Sequence, residues 1–258
     1  MYHRPRLIPC LLLSGGSLVK TRRFKDPNYL GDPINAVKIF SEKCVDELCV
    51  QDIDASKCGR GPDFALLSDL ASEAFMPLSY GGGITSVDQA ARLFHIGFEK
   101  VILNTSLVDR PELIGEIAAR FGSQSVVASV DARQDVLKRY RCVVAGGTRP
   151  VGESPRELAV RAQELGAGEV LLNSVDRDGV MQGYDLRLIQ SVAGALDIPV
   201  IACGGARDAR DMERALHQGG AHAVAAGSMF VYFGPLKAVL INVPEEEELY
   251  GTGVYQRG

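Results

Sequence analysis

The sequence predicts an α/β protein with a single (β/α)8 TIM barrel and a two-fold internal half-barrel repeat. Three observations carry this: eight short β-branched runs with amphipathic stretches between them, a length of 258 residues, and motifs that recur at nearly one offset. The strand candidates are 7–13, 47–53, 76–80, 99–104, 125–130, 168–173, 198–203 and 221–226. The helix candidates are 33–43, 62–74, 86–96, 110–120, 154–165, 185–195 and 209–218, with a last one after 230. Runs 47–53 and 198–203 are nearly continuously apolar, as strands covered on both faces should be. Ser86-x-x-Gln89 and Ser154-Pro155-x-Glu157 are capping boxes that start helices, the second with Pro at the first helical position. An open doubly wound sheet would need a nucleotide loop, and no GxGxxG follows any strand.

The repeat is legible in order and spacing. "QDIDAS" at 51–56 is echoed by "VDRDGV" at 175–180, "SYGGGI" at 79–84 by "ACGGAR" at 202–207, and "LNTSLV" at 103–108 by "AAGSMF" at 225–230. Two half-barrels, about 5–123 and 124–243, follow from this. Between the fifth strand and the helix at 154, residues 134–150 contain an alternating "YRCVV" and a Gly-Gly turn. They predict a small β-excursion at the catalytic face, either a lid or platform for a ligand or a structural embellishment. The acidic and then Gly-rich tail, 244–258, is expected to fray.

Composition narrows the function. A formal net charge of −4 argues against nucleic acid or an anionic membrane as partner. No apolar run reaches the roughly 18 residues of a spanning helix. The start, "MYHRPRLIPCLLLSGG", has too short an apolar run for a signal peptide. Six cysteines (Cys10, Cys44, Cys49, Cys58, Cys142, Cys203) show neither CxxC nor zinc-ligand spacing, so reduced structural thiols in a cytoplasmic protein are expected. His95 and His217 lie near helix ends and suit surface or capping roles. No metal and no cofactor is expected.

Chemistry is expected at the C-terminal mouth of the barrel. Gly82 and Gly83 in one half, and Gly204 and Gly205 in the other, end a strand and precede a helix. Backbone N–H groups there can face an anion, with tight turns as the plain alternative. Asn104 and Thr105 in the first half, and Gly227 and Ser228 in the second, end the following strand and can add donors. Two phosphate sites on one rim are predicted, so a bridging ligand would carry a phosphate at each end. Gly179 joins this set from the "VDRDG" turn. Of the acids at the mouth (Asp52, Asp54, Asp131, Asp176, Asp178), Asp131 is presented by the buried run "VVASV" and suits a catalytic or ligand-orienting role, or a structural hydrogen-bonding one. Lys20 can fold back as an anion contact. At the opposite end, Arg6, Glu47, Lys100 and Glu169 start four strands, and their charges could meet around the axis.

Taken together, "DIDAS", "YGGGI", "FGSQSVVASVDA", "NSVDRDG" and "ACGG" resemble the cyclase subunit of imidazole glycerol phosphate synthase, over about residues 5 to 243. The resemblance implies a glutaminase docked at the bottom face and ammonia passed through a charged gate at Arg6, Glu47, Lys100 and Glu169. It implies reaction of that ammonia at the top with a ribonucleotide bearing two phosphates, giving imidazole glycerol phosphate and aminoimidazole carboxamide ribotide. Gly82, Asn104, Thr105, Asp176, Gly204 and Ser228 match the phosphate rim, and Asp131 matches one of two catalytic aspartates. The other is missing: the family pattern Cys-Leu-Asp reads Cys10-Leu11-Leu12 here. This first strand is similar to a branch associated with surface-polysaccharide genes. There the barrel and its glutaminase supply ammonia to a third enzyme that builds an amidino group on a nucleotide-linked sugar. A working histidine-pathway cyclase, a related sugar-phosphate isomerase and a non-catalytic binding module remain the alternatives.

Overall fold

The computed structural model describes residues 4–256. Eight parallel strands close on themselves: β1 (Arg6–Ser14), β2 (Leu48–Asp52), β3 (Leu78–Gly81), β4 (Lys100–Leu103), β5 (Val126–Gln134), β6 (Glu169–Ser174), β7 (Val200–Cys203) and β8 (Ala223–Ala226). Each pairs with the next, and β8 returns to β1 with Arg6 opposite Ala223 and Pro9 opposite Ala226. Every predicted strand is present, and the barrel is closed.

The helices α1 (Pro33–Glu42), α2 (Phe64–Ser72), α3 (Val87–Ile96), α4 (Glu112–Phe121), α5 (Pro155–Glu164), α6 (Leu186–Ala193) and α7 (Ala209–His217) form the outer layer. Their starts are chemically determined. The Ser86–Gln89 and Ser154–Glu157 capping boxes both form, and Asp32 accepts from the Asn35 N–H at 2.8 Å. The strands' outward faces and the helices' inner stripes make the main core, which includes Phe40, Leu48, Leu70, Leu103 and Phe230. A second, smaller cluster fills the barrel itself: Ile8, Cys10, Cys49, Ile102, Val127, Leu171, Ile201, Ala223 and Ala225. The two clusters follow from the strand period of two. On β6, for example, Glu169, Leu171 and Asn173 face the axis while Val170 and Leu172 join the outer core.

Three hairpins depart from the simple alternation. After β1 the chain makes Ser17–Arg22 and Lys25–Gly31, which the sequence reading does not foresee. The β-excursion expected at 134–150 is present: β5 runs on to Gln134 and Tyr140–Val144 returns antiparallel to it. The stretch after 230 is a correction. Instead of a helix it makes the short turn of helix Ser228–Val231 and then the hairpin Tyr232–Phe233 with Ala238–Val239.

The expected fraying of 244–258 is likewise corrected. Glu246–Thr252 forms α8, with three glutamates in its first turn, where the helix dipole favours negative charge. Leu249, Val254 and Tyr255 are buried against the body, and His217 Nε2 lies 2.9 Å from the Gly253 carbonyl. Of the tail, residues 257 and 258 lie outside the described residues. The six cysteines are free thiols. Among the described residues no helix is long and apolar enough to cross a membrane.

Candidate active site at the barrel mouth

The C-terminal ends of the strands surround a pocket enclosing about 1190 Å³, part of it open to solvent. Lys20, Gly82, Gly83, Asn104, Thr105, Asp131, Gly179, Gly204, Gly205, Gly227 and Ser228 all line it, and so does Leu12. The glycine clusters of both halves therefore open onto one cavity. Their composition also has a packing cause. A Cβ on Gly83 would collide with the Arg60 carbonyl, and one on Gly205 with the Gly183 carbonyl, in each half a neighbouring loop pressed onto the turn. Both residues have positive φ.

Asp131 stands at the floor of this pocket, 7% exposed. Asn104 Nδ2 donates to its Oδ2 at 3.1 Å and to the Ser129 carbonyl at 3.0 Å, so the Asn104 side chain orients the acid. Burial pushes the Asp131 carboxyl up to about 7, with the Asp178 carboxylate adding to the shift and the hydrogen bonds from Ser129 and Asn104 opposing it. An acid poised there can take or give a proton near neutral pH. Leu12 lines the same floor, with Gln51 beside it in the β1–β2 register. No carboxylate stands on the first strand's end.

Asp178 lines the pocket beside Asp131 and Asp52, whereas Asp176, which the resemblance matched to the phosphate rim, does not. Lys20 Nζ pairs with Asp178 Oδ1 at 2.8 Å, and the Thr21 hydroxyl donates to Oδ2 at 3.1 Å. This contact pins the first hairpin over the mouth. Asp176 does not line the pocket; its carboxylate accepts from the Gln134 N–H at 2.7 Å and so caps the extension of β5. Asp52 lines the pocket while accepting from the Asp54 and Ala55 N–H groups at 2.9 and 3.0 Å. Asp54 itself accepts from the Ser14 hydroxyl at 2.6 Å, away from the cavity.

The two halves of the rim differ in availability. The Thr105 hydroxyl accepts from the Ala145 N–H at 3.2 Å, which ties the 134–150 excursion to the first half. Gly146 of that excursion lines the pocket, and Phe24 of the first hairpin packs near Gly147. The excursion is thus a wall of the site. Among the described residues Ser228 Oγ is buried without a hydrogen-bond partner, as is Asn173 Oδ1. Asn173, Thr21, Gln51, Ser56, Lys57 and Ser129 are among the pocket residues that the sequence did not single out.

At the other end of the barrel the four charged residues meet. Arg6 Nη1 lies 2.6 Å from Glu47 Oε2 and Arg6 Nη2 lies 2.6 Å from Glu169 Oε1. Lys100 Nζ reaches Glu47 Oε2 at 2.8 Å and Glu169 Oε2 at 3.0 Å. Each carboxylate touches both cations, which closes a ring of alternating charge beneath the apolar barrel interior. Inward charges in that position are costly unless paired, and here each is paired twice. Among the described residues no cluster of three or more metal-ligating side chains is assembled to hold a metal ion.

The sequence profile of the family described as histidine biosynthesis protein matches residues 6–237. The chain is 46% identical over 246 residues, 95% of its length and 97% of the relative's, to a Leptospira interrogans protein provisionally named imidazole glycerol phosphate synthase subunit HisF. It is 47% identical over 246 residues (95% and 98%) to a Pseudomonas aeruginosa protein provisionally named as the hisF2 subunit. To the imidazole glycerol phosphate synthase subunit HisF of a Nocardioides species it is 42% identical over 239 residues, 90% of this chain and 92% of that one.

Proposed function

Because the chain belongs to the histidine biosynthesis protein family as a HisF-like barrel, we propose that it is the ammonia-conducting subunit of a glutamine-dependent amidotransferase with little cyclase activity of its own. The observation that carries this reading is Leu12 at the pocket floor opposite a retained Asp131. Two carboxylates would share the proton transfers of ring closure, and a leucine can neither accept nor deliver a proton. The machinery for receiving ammonia is complete by contrast. A glutaminase docks at the N-terminal face, and the ring of Arg6, Glu47, Lys100 and Glu169 gates entry to the barrel axis. Ammonia then passes the apolar side chains of the interior and emerges beside Asp131. Asp131, held near neutral pKa, can exchange a proton with ammonia at that exit. The rim glycines, Ser228, Thr105 and the Lys20–Asp178 pair hold a phosphorylated ligand, with the Ser228 and Thr105 hydroxyls both free to donate. The ammonia serves amidination of a nucleotide-linked sugar by a third, cytoplasmic enzyme in surface-polysaccharide synthesis.

The test is reconstitution with 15N-amide glutamine, the cognate glutaminase and the nucleotide-sugar amidating enzyme. Label should enter the sugar only when the barrel is present. Equal incorporation without the barrel would remove the conducting role. A second reading, a working histidine-pathway cyclase, is favoured by one observation: Asp131 is held near neutral pKa beside Asn104, as a proton-transfer residue requires.

A further inference from the structure

The exposed apolar side chains of this protein are concentrated at one end. Among the described residues nine large hydrophobic side chains are exposed, and seven belong to the three hairpin segments that follow β1, β5 and β8: Tyr29, Val136, Leu137, Phe233, Leu236, Val239 and Leu240. All three segments rise from C-terminal strand ends, so they stand around the mouth. Isolated exposed hydrophobics are ordinary on a soluble protein, but a collection on one rim marks a contact surface. Val136 and Leu236 are 97% and 95% exposed at hairpin turns. The third hairpin has two residues per strand and pairs with no other sheet, an arrangement that is marginal in water on its own.

Charge supplies the partner's chemistry. Arg22 and Lys25 on the first hairpin, Lys57 beside the second, Lys138 at its turn and Lys237 at the turn of the third form no ion pair with any described carboxylate. A chain of net charge −4 thus presents unpaired cations among apolar side chains at this end. The first two hairpins touch through Phe24 and Gly147, and the third follows β8, the strand beside β1, so all three belong to the same end of the barrel.

We infer that this end is the docking surface for the enzyme that consumes the ammonia, a protein presenting an apolar patch framed by carboxylates. The inference rests on the proposed conducting role. Ammonia released at an open mouth would be diluted into solvent, whereas a partner seated on the three hairpins covers the exit and leaves the opposite face free for the glutaminase. Electrostatic complementarity of this kind sets association rate and salt sensitivity, and the apolar side chains hold the complex.

Sedimentation velocity of the full-length barrel with the nucleotide-sugar amidating enzyme of the same genome tests this. The wild-type chain should form a complex that weakens as salt is raised. The double variant Val136→Glu/Leu236→Glu, at residues outside the pocket lining, should weaken it at least tenfold while binding the glutaminase as before. Lys25→Glu/Lys138→Glu should do the same without altering any apolar side chain, which guards against misfolding of the first variant. Undiminished binding by both variants, or no complex with the wild type, overturns the assignment. So would self-association of the wild type abolished by the variants, or binding to vesicles of anionic phospholipid abolished by them; these give the surface to a second copy or to lipid. Failure here with label transfer intact would leave the conducting role standing, because that assay reads the barrel's need and not its contact surface.

Discussion

Lys20 Nζ lies 2.8 Å from Asp178 Oδ1, and both side chains are almost fully enclosed at the edge of the pocket. A buried ion pair, with the Thr21 hydroxyl and the Arg23 N–H also bonded to Asp178, thereby joins the hairpin after β1 to the loop after β6. Removing one partner of such a pair strands the other charge, at a cost of about 3–5 kcal/mol. Asp178→Asn should therefore lower stability by that amount in urea unfolding. The double variant Lys20→Met/Asp178→Asn should recover part of the loss, since no isolated charge remains. A single-variant cost below about 1 kcal/mol would show that the pair is open to water.

The raised pKa of Asp131 has a thermodynamic signature. An unfolded carboxyl titrates near 4 and this one at about 7, so between those values the native state binds the additional proton. Stability then falls as pH rises from about 4 to about 7, and the penalty is fully present above 7. Asp131→Asn removes the penalty. We expect that variant to be more stable than the parent at pH 8 by on the order of 2–4 kcal/mol, an advantage that shrinks as pH falls towards 5. Parallel pH–stability curves for the two proteins would contradict the assignment.

Glu47 accepts from both Arg6 and Lys100, and its side chain is the least exposed of the four-charge ring. Glu47→Gln leaves two cations facing Glu169 alone. A loss of about 2–4 kcal/mol is expected in thermal or urea unfolding. In the reconstituted system the same variant should reduce transfer of glutamine-derived ammonia several-fold, with transfer from added ammonium salt retained. Equal loss from both sources would place the defect at the mouth and not at the ring.

Leu12→Asp returns a carboxylate to the first strand's end, on the floor that Asp131 shares. General acid–base partners typically contribute about 10²–10⁴-fold. We expect ammonia-dependent cyclase turnover to rise at least tenfold above the parent, measured with the histidine-pathway ribonucleotide. No rise would mean that the pocket no longer holds that ribonucleotide in a reactive pose, since a displacement of about 1 Å can cost about a hundredfold.

The barrel strands were legible because each is a compact apolar run with turn chemistry on both sides, from Arg6–Ser14 through to Ala223–Ala226. The rim was legible because its glycines recur at one offset in the two halves, and the charged ring because its members open three strands and immediately precede a fourth. What sequence could not show was direction. After Ser174 the period of two stops, and the chain turns back with the Asp178 N–H bonded to the Ser174 carbonyl at 2.9 Å. That turn, and no spacing rule, brings Asp178 to the pocket and sends Asp176 to Gln134. Leu236 and its neighbours were misread for a related reason: "VYFGPLKAVL" is apolar enough for a packed helix, yet Gly234-Pro235 breaks it into a hairpin with its side chains in solvent. The final helix follows from "PEEEEL", an acid-rich helix start that composition alone reads as a tail.

A barrel with Leu12 in place of the first-strand carboxylate should conduct ammonia without carrying out cyclisation. The most direct measurement is steady-state turnover of the bis-phosphate ribonucleotide of the histidine pathway by the purified, unmodified chain with saturating ammonium salt. Turnover at least a hundredfold below about 1 per second, the lower range of ordinary enzymes, is expected. Turnover at about 1 per second or faster would contradict it and make this chain a histidine-pathway cyclase.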